Sequence, residues 1–133
     1  MHYQSNSDTL YSGQTLYPSQ SIQSVQNQFF ATIQSDGNFV VYLTSTFQPR
    51  NALWSSKTHS SNFQRPFRLT MQHDGNLVIY DQHNRAVWAS NTCHKGTCPH
   101  RLVMQSDGNL VIYDANSVAT WSTGTNSYRI ISP

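Results

Sequence analysis

Gln34, Asp36, Asn38, Val40 and Tyr42 fall within nine residues, QSDGNFVVY, and the same five types return at the same offsets twice more. The second copy holds Gln72, Asp74, Asn76, Val78 and Tyr80; the third holds Gln105, Asp107, Asn109, Val111 and Tyr113. Asp accepts hydrogen bonds, Asn and Gln both donate and accept, and a Tyr hydroxyl does either. Four such groups around one small apolar side chain suit vicinal hydroxyls with a C–H patch between them, which describes a neutral hexose. Asp36, Asp74 and Asp107 would repel an anion. A hard cation wants more carboxylates than the one each copy supplies, so neither metal nor cofactor is expected. Triplication also argues against catalysis, because one active centre needs its acid and base in unlike surroundings. A glycosidase would need two carboxylates roughly 5 to 9.5 Å apart, and each copy has one.

The copies span 34–42, 72–80 and 105–113, spacings of 38 and 33 residues that mark repeated supersecondary units within one domain, 1–133. Trp88 and Trp121 lie eight residues beyond Tyr80 and Tyr113, whereas Trp54 lies twelve beyond Tyr42. The surplus contains Pro49 among polar residues and reads as a lengthened hairpin loop. Phe29 to Gln34 is β-prone, Asp36-Gly37 favours a tight hairpin, and Phe39 to Leu43 is β-prone again. The motif therefore straddles a turn. Along one straight strand Gln34 and Asn38 would stand about 13 Å apart at roughly 3.3 Å per residue, too far to share a sugar ring; folded back, they become neighbours. The pleat sends Asn38, Val40 and Tyr42 to one face and Phe39 and Val41 to the other. Leu77, Ile79, Leu110 and Ile112 repeat the inward set, which with Ile33, Met71, Met104 and the three tryptophans forms the expected core. The outward set forms a shallow dish with polar walls and a valine floor.

Composition agrees with a compact all-β chain. Its 133 residues suffice for one core, and only 11% are charged, while seven Tyr, six Phe and three Trp supply bulk. Eight Lys and Arg against six Asp and Glu give a net +2 with no basic stripe, so nucleic acid is not an expected partner. No apolar run approaches the roughly 20 residues that cross a bilayer. The segment MHYQSNSDTLYSG has no hydrophobic stretch of the signal-peptide kind, leaving a cytosolic location or unconventional release as the expected routes.

At these residues the chain resembles the monocot mannose-binding, or bulb-type, lectins of the snowdrop agglutinin kind, whose signature is Gln-x-Asp-x-Asn-x-Val-x-Tyr. The likeness extends through DTLYSGQTL (8–16), WASNT (88–92) and WSTGT (121–125). It implies a β-prism II fold, three four-stranded antiparallel sheets about a pseudo-threefold axis with the tryptophans near that axis. It implies that Asp36 and Asn38 hold the axial 2-hydroxyl of mannose, Gln34 its 3-hydroxyl and Tyr42 its 4-hydroxyl, with Val40 against the ring carbons. The corresponding roles fall to Asp74, Asn76, Gln72, Tyr80 and Val78, and to Asp107, Asn109, Gln105, Tyr113 and Val111. The partners implied are mannose and mannosylated glycans. A lectin-like module acting through protein contacts, toxin-like or taste-active, is the alternative; such relatives tend to have eroded motifs, and these are whole.

There are departures. Plant members usually carry a cysteine where Gly37 stands, paired to one near Phe67, and both are absent. Cys93 and Cys98 enclose HKGT instead. A local disulfide, contributing about 2 kcal/mol, is the first expectation, free thiols the second, and metal the third, since the spacing fits no common structural zinc pattern. Finally, Tyr128, Ile130 and Ile131 form a β-prone run with no later strand of the chain to pair with, while DTLYSGQTL reads as a partial unit opening the first sheet. The resemblance implies exchange of this C-terminal strand in a two-fold homodimer.

Overall fold

The computed structural model describes residues 7–59 and 62–127. Twelve short strands run in chain order: β1 (Thr9–Tyr11), β2 (Thr15–Leu16), β3 (Ser21–Gln23), β4 (Phe29–Ile33), β5 (Phe39–Leu43), β6 (Ala52–Ser55), β7 (Arg68–Met71), β8 (Leu77–Tyr80), β9 (Ala86–Ala89), β10 (Arg101–Met104), β11 (Leu110–Tyr113) and β12 (Ala119–Ser122). They form three four-stranded sheets ordered β3-β4-β5-β6, β2-β7-β8-β9 and β1-β10-β11-β12, each strand antiparallel to its neighbours. This is the β-prism arrangement.

Each sequence copy is the β-hairpin expected of it, β4-β5, β7-β8 or β10-β11, followed by the strand that bears the tryptophan. Registers coincide: Phe30 faces Tyr42, Arg68 faces Tyr80 and Arg101 faces Tyr113, and each tyrosine sits at a bulge against its outer strand. The inward residues alternate as the pleat requires. Ile33, Phe39, Val41, Met71, Leu77, Ile79, Met104, Leu110 and Ile112 lie in one buried cluster between the sheets, with Trp54, Trp88 and Trp121 packed against it. Those three rings meet edge to face, with centroids 5.7 to 5.8 Å apart and planes 70 to 77° from one another. Such a pinwheel is the favoured contact of aromatic quadrupoles and marks the pseudo-threefold axis.

The N-terminal segment departs from the sequence reading. It opens no single sheet: β1 pairs with β10, β2 with β7 and β3 with β4, so one run of chain supplies the edge strand of every sheet. The sheet of repeat three thereby has all four places filled from its own chain, β12 included. The expected exchange segment, Tyr128 to Ile131, lies outside the described residues. The long loop between β5 and β6 is present and holds a 3-10 turn at Pro49–Asn51. No helix among the described residues is long and apolar enough to cross a membrane.

Candidate functional site

Each motif folds around a three-residue hairpin loop. Gln34 N–H donates to the Asn38 carbonyl (2.9 Å) and Gly37 N–H to the Gln34 carbonyl (3.0 Å); Gln72 with Asn76 and Gln105 with Asn109 repeat the pattern. The glycine must close this loop with φ near +90°, a region in which a side chain is strained. Gln34 and Asn38 are thus paired across the hairpin, as the sequence requires.

The hairpin gathers the polar groups into one network. Tyr42 donates its hydroxyl hydrogen to Gln34 Oε1, Gln34 Nε2 lies 3.4 Å from Asp36 Oδ1, and Asp36 Oδ1 accepts the Asn38 N–H at 3.0 Å. Repeat two has the Tyr80–Gln72 and Asp74–Asn76 bonds, and repeat three has Tyr113–Gln105 and Asp107–Asn109. With its hydrogen committed to Gln, each Tyr oxygen offers lone pairs; with one amide hydrogen on Asp, each Gln offers the other. The valines lie beneath: Val40, Val78 and Val111 are only 2 to 3% exposed, so the apolar floor is narrower than the pleat alone suggests.

A second triplet completes the site and was passed over in the sequence reading. Asn38 Oδ1 accepts from Ser56 Oγ and Thr58 N–H, both 3.2 Å; Asn76 Oδ1 from Ser90 Oγ and Thr92 N–H; Asn109 Oδ1 from Thr123 Oγ1, Gly124 N–H and Thr125 N–H. The third residue of each trio then donates its hydroxyl to the loop glycine's carbonyl. These contacts consume the Asn oxygen and leave its NH2 as a donor. The signal was available: Ser-x-Thr or Thr-x-Thr begins two residues after every tryptophan.

Beneath each loop glycine lies a ring from the next repeat. A Cβ on Gly37 would stand 2.9 Å from the Phe67 ring, one on Gly75 2.8 Å from the His100 ring, and one on Gly108 3.0 Å from the Phe29 ring and from the Thr125 carbonyl. Phe67 therefore fills the place where plant members were expected to have a disulfide. His100 is the odd one. Its Nε2 hydrogen goes to the Lys95 carbonyl at 2.5 Å, and its buried Nδ1 has no partner among the described residues.

The electrostatics differ in detail. Burial pushes the Asp74 carboxyl up, but hydrogen bonds from the Asn76 N–H, Gln72 and Cys93 and the nearby His94 outweigh it and bring it below the usual carboxylate range. The Tyr42 hydroxyl is pushed up by burial and then by Asp36. Cys93 and Cys98 are free thiols, which corrects the disulfide expectation. Cys93 Sγ donates to Asp74 Oδ2 at 3.3 Å and Cys98 Sγ to the His73 carbonyl at 3.0 Å, so each sulfur faces repeat two, and the intervening loop is held without a covalent closure by His94 N–H on the Asp74 carbonyl and Thr97 N–H on Asp114. His73 is exposed and bonds Ser12 through Nδ1 at 3.0 Å. No cluster of three metal-ligating side chains occurs among the described residues.

Three copies of one shallow polar cluster on a β-prism place the protein in a carbohydrate-binding class. No protein-family model and no curated protein sequence matches the chain, but solved structures do. A monomeric monocot mannose-binding lectin from Gastrodia elata is 38% identical over 90% of this chain and 99% of that one, TM-score 0.77. The mannose-specific agglutinin of snowdrop, Galanthus nivalis, complexed with methyl α-D-mannoside, is 34% identical over 89% and 96%, TM-score 0.69. A lectin from Marasmius oreades is 28% identical over 97% and 100%, TM-score 0.79. The chain belongs to the bulb-type, monocot mannose-binding lectin family.

Proposed function

We propose that this protein is a multivalent, non-enzymatic lectin that binds mannose and mannose-rich glycans through three shallow sites. The observation that carries this reading is the threefold network in which Asp offers acceptors, Asn only its NH2, Gln a spare amide hydrogen and Tyr an oxygen lone pair. Vicinal hydroxyls, each able to donate and accept, complement that set. Asp36, Asn38, Gln34, Tyr42 and Val40, with their counterparts in repeats two and three, are the contact residues. The relatives' names, mannose-specific agglutinin among them, support the choice of sugar.

A monosaccharide of about 12 heavy atoms at roughly 0.3 kcal/mol per atom gives a dissociation constant near millimolar. Several sites on one branched glycan raise apparent affinity by about 10² to 10⁴. Calorimetry with methyl α-mannoside should give three sites per chain and with mannan a far tighter curve; equal affinity for galactose would end the mannose reading. Binding should survive excess EDTA. A two-fold dimer exchanging the segment after Trp121 would carry six sites, and light scattering of the chain with and without residues 122–133 tests it. The filled sheet of repeat three makes a self-sufficient monomer the competing outcome.

A further inference from the structure

The loop of residues 44–51, which repeats two and three lack, builds a wall beside the first site. In those repeats a buried aspartate organises a tight turn: Asp81 accepts from the N–H groups of Gln64, His83 and Arg85, and Asp114 from those of Thr97, Asn116 and Val118. Leu43 takes that place in repeat one, and the chain runs outward. Phe47 folds back from it and stacks on Tyr42, centroids 4.8 Å apart and planes 14° from parallel, while meeting Phe30 edge to face at 5.7 Å. The corresponding tyrosines have a cation instead, Arg68 over Tyr80 at 4.8 Å and Arg101 over Tyr113 at 5.1 Å.

Phe47 is not consumed by this packing, because 42% of its surface stays open. The loop that presents it is internally bonded: Thr46 N–H donates to Thr44 Oγ1, the Asn51 side-chain amide to the Thr46 carbonyl at 2.8 Å, and Thr44 N–H to the Gln28 carbonyl. An aromatic ring so fixed costs little to order on binding. Between it and the motif runs a groove lined by Gln34, Ser35, Tyr42, Phe47, Pro49 and Ser19. Two of its walls, Gln34 and Tyr42, belong to the hydroxyl-binding network itself, so the groove continues the site. A polar edge beside an open aromatic face is the chemistry that takes a pyranose, hydroxyls to the edge and C–H face to the ring.

We infer that repeat one is an extended site whose Phe47 groove takes the second pyranose of an α-linked mannose oligosaccharide, the first being held by Gln34, Asp36, Asn38 and Tyr42. This rests on the mannose reading above. Sites two and three, walled by arginine and a tight turn, are single-residue sites.

The test compares isolated sites in the full chain. Asp74→Ala with Asp107→Ala leaves only site one; Asp36→Ala with Asp107→Ala leaves only site two. Each is titrated by NMR with methyl α-mannoside and with methyl mannobiosides of α1-2, α1-3 and α1-6 linkage. Site one should bind at least one disaccharide about tenfold more tightly than the monosaccharide, equivalent to about 1.4 kcal/mol, while site two shows a ratio near one. Phe47→Ala in the site-one protein should bring its ratio to near one with monosaccharide affinity within about twofold. Equal ratios at the two sites for every linkage, or a ratio untouched by Phe47→Ala, would overturn the inference. Should Phe47→Ala not fold, the comparison of the two sites decides alone. If the unmodified protein binds no mannoside, the mannose reading has failed instead.

Discussion

Repeat one and repeats two and three carry the same five motif residues on the same hairpin, yet their surroundings are built from different chemistry. Tyr42 is 5% exposed beneath Phe47 and faces Phe30, whereas Tyr80 and Tyr113 are half-buried beneath arginines. The turn after Tyr80 or Tyr113 hangs on a buried carboxylate, and the turn after Tyr42 does not. Three candidate sites that look interchangeable in the motif are therefore free to diverge at their rims while the hydrogen-bonded network of Gln, Asp, Asn and Tyr stays whole. The lesson is that the five motif residues are held constant in all three repeats while the residues just outside them, Phe47 against Arg68 and Arg101, change the surface beside each.

The sharpest way to break the comparison is to remove one carboxylate at a time. Asp36→Ala, Asp74→Ala and Asp107→Ala should each delete one site from the calorimetric stoichiometry. Losing a charged hydrogen-bond acceptor costs about 1.5 to 3 kcal/mol, which carries a millimolar site out of range. Abolition of all binding by any single change would disprove independent sites. Next in size are the loop glycines. A side chain at φ near +90° costs on the order of 1 to 2 kcal/mol, and a Cβ at Gly108 also meets the Thr125 carbonyl. Gly108→Ala should therefore lower Tm more than Gly37→Ala, whose Cβ has its three nearest contacts in the Phe67 side chain and none of them in backbone; calorimetric melting gives the order, and the reverse would show that ring packing dominates.

His100→Phe makes the junction of repeats two and three like the others. Removing the unpartnered Nδ1 should relieve about 1 kcal/mol and raise Tm by roughly 4 °C; a fall would mean that the bond to the Lys95 carbonyl is worth more. The pH response sharpens the contrast between turns. Hydrogen bonds to Asp81 from the N–H groups of Arg85, Gln64 and His83 and from the Arg85 side chain, which also ion-pairs with it at 2.8 Å, outweigh burial and hold its carboxyl far below the usual range. The Val118 and Thr97 N–H groups likewise lower Asp114. A carboxylate with a depressed folded pKa contributes stability that is present above its unfolded value of about 3.9 and is lost as pH falls through the folded value. Below about pH 4, amide exchange should thus accelerate first in β8, β9, β11 and β12, with β5 and β6 following. The smallest effect is at the rim: Arg68→Ala should remove a cation–π contact of about 0.5 to 1 kcal/mol and change mannoside affinity at site two no more than a few fold.

Much of this was legible in the sequence because the repeat states it three times. The hairpins, the inward set and the joining of Gln34 to Asn38 follow from a period of two and an Asp-Gly turn. What escaped depends on distance along the chain. Nothing local in Thr9 to Tyr11 says that it will lie beside Val103, and nothing in Phe67 says that it will sit under Gly37. The Asn tether was missed because Ser56 and Thr58 read as ordinary loop polarity until Asn38 Oδ1 is seen to face them. The thiols of Cys93 and Cys98 donate instead to Asp74 and to the His73 carbonyl, partners that the short Cys-to-Cys spacing does not reveal.

The rings under the glycines close on themselves: repeat two supports the loop of repeat one, repeat three that of repeat two, and repeat one that of repeat three. A linear stack of repeats has ends that fray and needs special terminal units to cap them. This circle has no terminus, so no single repeat can come loose without undoing the loop of one neighbour and losing the tryptophan contact of both. Gene-level loss or addition of one repeat, the ordinary way such arrays change length, would leave the circle open, and the sites can be expected to diversify by substitution at their rims with their number held at three.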